Sequence, residues 1–102
     1  MFTADQSVAD NGTVVCNNEV TRVSGSAGGS TLDVDPAIAD GYTDGYACVI
    51  QGTVDADWVE INDGDNVELA GGVDARLGKG DTLSIIWDTG ESTWYETSRS
   101  NN

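Results

Sequence analysis

The chain has 102 residues, enough for one domain, with 18 Asp and Glu against 4 Lys and Arg, no His, and a formal charge of −14. Four scattered cations cannot form the basic patch that phosphate neutralisation demands, so nucleic acid is not expected as a partner, and imidazole catalysis and His metal sites are excluded outright. No apolar run approaches the ~20 residues of a membrane span, and the start Met1-Phe2-Thr3-Ala4-Asp5 has neither the basic nor the apolar stretch of a signal peptide.

Along the chain, strand signals dominate and turn dipeptides separate them. Asn11-Gly12 is a turn, Thr13 to Cys16 reads as a short strand, Asn17-Asn18 turns again, and Glu19 to Val23 alternates polar with apolar. Ser24 to Ser30 has the composition of a flexible loop. Residues 1–30 therefore read as an N-terminal arm ending in a Gly/Ser-rich loop, suited to docking, and residues 31–102 as the β body. Thr31 to Val34 is a further short strand. Asp35-Pro36 offers an N-cap and an N1 proline, which predicts one helical turn over Asp35 to Asp40.

Tyr46 to Gln51 is almost continuously apolar, the pattern of a central strand. Asp57 to Ile61 and Asn66 to Leu69 flank Asn62-Asp63-Gly64-Asp65, which reads as a hairpin turn. Val73, Ala75 and Leu77 share one face of the next strand. Gly78 to Asp81 turns into Thr82 to Trp87, and Asp88 to Glu91 turns into Ser92 to Ser98. Short strands at even spacing predict an all-β fold: a small antiparallel sandwich, roll or barrel.

Charge bears on stability. A −14 sphere of about 15 Å radius, compared with an unfolded chain of about 30 Å, is disfavoured by roughly 11 kcal/mol at 0.01 M salt and about 3 kcal/mol at 1 M. A whole domain is stable by only ~5–15 kcal/mol. With 13 Asp against 5 Glu and one lysine, Lys79, the chain reads as built for concentrated salt.

Chemistry-bearing groups are plentiful but poorly arranged. Asp55 with Asp57, or Asp63 with Asp65, could be offered as acid–base pairs, yet each sits among other charges and is better explained as turn chemistry. Asn62 to Asn66 presents hard oxygen ligands but lacks the spacing of a calcium loop, so no metal and no cofactor is expected. The sequon Asn11-Gly12-Thr13 is explained by its Asn-Gly turn. Cys16 and Cys48 either form a disulfide or are buried as small apolar thiols; without a secretion signal the thiols are favoured. Trp94 and Tyr95 must point to opposite faces of their strand, so one of them faces outward or toward a partner. Trp58, Trp94, Tyr95 and Arg99 are the expected interface residues.

One stretch has a familiar look. Gly80-Asp81-Thr82-Leu83, the apolar strand reaching Trp87-Asp88, then Trp94-Tyr95-Glu96 and the terminal Ser98-Arg99-Ser100-Asn101 together resemble the strand–turn–strand ending of small β-structured virion proteins of tailed viruses. Residues Val59 to Ala70 resemble the paired short strands of such modules, whereas the first third of the chain does not. The resemblance implies a non-catalytic head decoration, spike or fibre module, commonly homotrimeric. With the charge, it implies a virus of a haloarchaeal host. The expectation is thus a virion structural protein, not an enzyme, assembled in the host cytoplasm. Its expected partners are its own copies and the major capsid protein or other virion proteins. The alternatives are a tail-fibre or baseplate component for host attachment and a carbohydrate-binding domain stacking sugars on Trp58 or Trp94. A third is an acidic mimic of nucleic acid.

Overall fold

The computed structural model describes residues 5–16 and 19–101; the expected Asn17-Asn18 turn and the first four residues lie outside them. Nine strands form two curled sheets: β1 (Gln6–Val8), β2 (Val20–Gly25), β3 (Ser30–Leu32), β4 (Ala47–Gly52), β5 (Val59–Ile61), β6 (Val67–Glu68), β7 (Ala75–Leu77), β8 (Thr82–Asp88) and β9 (Thr93–Ser100). The large sheet runs β1-β2-β4-β8-β9-β6 and the small one β3-β5-β7. The fold is all-β.

Its sheets are mixed rather than antiparallel. β1/β2, β2/β4, β3/β5 and β6/β9 pair in parallel, while β4/β8, β5/β7 and β8/β9 are antiparallel. From β2 to β8 the chain alternates between sheets, so strands adjacent in one sheet are separated by an excursion through the other. Such excursions supply the crossovers that parallel pairing requires. The hairpin expected at Asn62 to Asp65 is one of these corners: β5 belongs to the small sheet and β6 to the large one. Gly64 and Val67 exchange backbone hydrogen bonds of 2.9 Å across the corner.

Two further expectations fail for traceable reasons. The segment Asp35 to Asp40 is not helical, because its backbone pairs with Val14 instead: Val14 N donates to Ala37 O (3.0 Å) and Ala39 N to Val14 O (2.8 Å). The described part of residues 1–30 is not a detached arm. It contributes β1 and β2 to the large sheet, and Val8, Val14, Cys16 and Val23 are buried. Ser30 Oγ donates to Val8 O at 2.7 Å, tying β3 to the end of β1. The expected linker contracts to residues 26–29.

The core lies between the sheets. Strand alternation puts Cys48, Ile50, Leu83, Ile85, Trp87 and Trp94 inward from the large sheet, against Leu32, Val59, Ile61, Ala75 and Leu77. Val73 falls before β7 and is exposed, so the expected three-residue face keeps only Ala75 and Leu77. Cys16 and Cys48 are joined in a disulfide that bolts the β1–β2 connection to the central strand β4; the two-thiol reading is corrected. Asn66 is buried with its amide satisfied. Its Oδ1 accepts from Ala37 N (3.2 Å) and its Nδ2 donates to Ile38 O (2.6 Å).

The aspartate excess also has a structural cause. Asp10, Asp44, Asp55, Asp57, Asp63, Asp74, Asp81 and Asp88 each accept a hydrogen bond from a backbone N–H, that of Thr31 in β3 for Asp10 and loop amides for the rest. A short carboxylate reaches a neighbouring turn amide where the longer Glu does not fit as well. This accounts for three of the four candidate acids: Asp55, Asp57 and Asp63 serve the amides of Lys79, Gly28 and Leu69.

Candidate functional site

The four expected interface residues do not come together. Trp94 is fully buried; its indole Nε1 donates to Ala39 O at 3.0 Å, and its ring packs against Trp87 (centroids 5.3 Å apart) and edge-on to Tyr46 (6.3 Å). It is a core residue, as large aromatics with a satisfied polar atom commonly are. Trp58 is half-buried. The Arg76 guanidinium sits 3.8 Å over its ring, and Gly29 packs so closely against the indole that a Cβ would not fit. Neither ring is an open platform for a sugar.

Arg99 is a staple. A β-bulge between β8 and β9 leaves Thr97 without an opposite number, since Ser98 pairs with Ser84 and Glu96 with Ile85. That extra residue puts Glu96 and Arg99 on the same, inner face, although residues three apart in a regular strand face opposite ways. Arg99 then grips Glu96 through Nε (2.7 Å) and Nη2 (2.7 Å) and donates to the carbonyls of Val73 (2.7 Å) and Asp74 (3.1 Å). Glu96 also accepts from Ala70 N at 2.8 Å. Together they clamp the 3-10 turn Ala70–Gly72 and the residues after it onto β9. The bidentate contact with Arg99 holds the Glu96 carboxyl below its ordinary range, and the same contact raises Arg99.

Tyr95 does face outward, beside Ile86 of β8. Its hydroxyl is pushed up by partial desolvation and then by Glu68, Glu91 and Asp88. It marks the border of the surface that the sequence reading missed. On the outer face of the large sheet, β4 presents Ala47, Val49 and Gln51, and β8 presents Thr82, Ser84 and Ile86. These positions carry no charge. Residues 45–54 and 82–87 contain none at all in a chain that is 22% charged. A groove of about 550 Å³ on this face is lined by Glu19, Tyr46, Val49, Ser84, Ile86 and Thr97.

The face is unusual for its composition. β4 has the apolar run of a strand covered on both sides. Among the described residues only its inner side is covered: Val49 is half-buried, Ala47 exposed and Ile86 37% exposed. Charged groups border these positions: Glu19 lines the groove next to Val49, Asp88 ends β8, Glu68 lies beside Tyr95, and Arg22 of β2 faces outward next to Gln51. The signal was present in the sequence, as two uncharged segments whose outward positions alternate apolar with hydroxyl or amide.

The fold and this face are unaccompanied by any likeness: no protein family, curated protein or solved structure matches the chain.

Proposed function

We propose that this chain is a structural component of a virus particle, a capsid decoration or spike protein that works by adhesion in concentrated salt. One observation carries the reading: in an acidic body of −14, the outward positions of the neighbouring strands β4 and β8 from Ala47 to Gln51 and from Thr82 to Ile86 carry no charge. A surface of that kind is suited to lasting contact with neighbours. The resemblance of residues 78–102 to virion modules of tailed viruses supplies the setting, and the charge points to a salt-loving archaeal host. The disulfide suits the oxidising exterior of a released particle. Adhesion needs no catalytic group, nucleic acid or membrane.

The test is mass spectrometry of gradient-purified particles from the organism that encodes the chain. The chain is expected in the particle band at a fixed ratio to the major shell protein. Its presence only in soluble cell extract, with particles lacking it, would rule the reading out.

A further inference from the structure

We propose that the uncharged face of β4 and β8 is where one copy of this chain meets another, and that salt concentration governs the contact. This rests on the particle reading for its setting and names the occupant of the same face. A cationic partner would gain most from the carboxylate-rich remainder of the surface. Clearing a face of carboxylates favours contact with a partner that is itself acidic, and a second copy, at −14, is such a partner.

Size sets the strength. The two strands, spaced about 4.8 Å and each with about five residues on the face, offer roughly 160 Å² per copy. A stable pair buries about 800 Å² on each side. The contact is therefore weak between free molecules and firm only where a surface already holds copies side by side.

Charge sets the salt dependence. The Cα radius of gyration of 12.0 Å corresponds to a sphere of about 15 Å. Two such spheres of −14 touching in 0.1 M salt repel far more than in 1 M, where the screening length falls from about 10 Å to about 3 Å. The difference strengthens association by roughly 400-fold.

Sedimentation equilibrium of the intact chain in 0.1 M and 2 M KCl, from micromolar to about millimolar concentration, tests this. Oligomers are expected in 2 M KCl and monomers in 0.1 M. Ile86→Glu and Ser84→Asp each place a carboxylate on the face and should abolish the oligomer while circular dichroism stays unchanged. Val73→Glu, exposed but away from the face, should leave it intact. Three results overturn the proposal: monomers at millimolar concentration in 2 M KCl, oligomers that survive both face variants, or equal loss in Val73→Glu. Oligomers formed by a chain absent from particles would sink the particle reading and keep the contact. Particles carrying well-separated single copies would do the reverse.

Discussion

Lowering the salt should unfold this protein, and the size of the effect can be worked from its dimensions. The folded chain has a radius of gyration of 12.0 Å, whereas an unfolded chain of this length reaches about 32 Å. Spreading −14 over equivalent spheres gives a self-repulsion that disfavours the folded state by roughly 8 kcal/mol in 0.1 M salt and roughly 3.5 kcal/mol in 1 M. The gain on adding salt, about 4.5 kcal/mol at most, is a large part of a typical domain's stability. Urea unfolding at pH 7 in 0.1, 0.3, 1 and 3 M KCl measures it, with the slope against urea held constant as the check that the two end states are unchanged. The midpoint should climb steeply below 1 M and flatten above it, where the screening length is already much shorter than the molecule. NaCl and KCl should agree at equal ionic strength. A midpoint that is level or falls across the series would refute the reasoning.

Three other outcomes are expected. Replacing Cys16 and Cys48 together with Ala frees a loop of 32 residues' separation and should cost about 3–4 kcal/mol by the loop-entropy relation, read as the loss in urea midpoint in 2 M KCl; an unchanged midpoint would show the bond to be idle. Trp94→Ala should cost about 3–5 kcal/mol and Trp94→Phe less, because the first leaves a large cavity and both lose the bond to Ala39 O; a cost below about 1 kcal/mol for Trp94→Ala would contradict its burial. Glu96 has a depressed pKa, so its contribution is present above the unfolded Glu value of about 4.3 and is lost as pH falls through the lower folded value. Glu96→Gln should therefore destabilise at pH 7 by about 1–3 kcal/mol and shrink the acid-side loss, whereas identical acid limbs in the two proteins would exclude the clamp.

Local pattern revealed the strands well and their partners poorly. Alternation located β4, β8 and β9, and it separated Trp94 from Tyr95 onto opposite faces. It could not say which face was the inner one, because register is decided by the core and not by the strand alone. Gly64 and Asp65 were rightly read as a turn, but the same chemistry serves a hairpin or a corner between sheets. Burial of the Asn66 amide against Ala37 and Ile38 goes with the corner. The pairing of β1 with β2 and of β2 with β4 is parallel and distant in sequence, so no local signal announces it, and the first thirty residues looked detached for that reason. The contact between Arg99 and Glu96 has no local signal, because it depends on one inserted residue, Thr97, that reverses the facing of everything after it. The uncharged segments are legible in composition, but that Val49, Ser84 and Ile86 face outward follows only from the register of β4 against β8.

Electron cryo-microscopy of intact particles in molar salt, at a resolution that traces strands, tests the adhesive role most directly. The outer side chains of β4 and β8 should lie against a neighbouring copy, with the aspartate-rich loops turned to solvent. A map in which Val49 and Ile86 face open solvent while the acidic loops make the contacts would contradict the account.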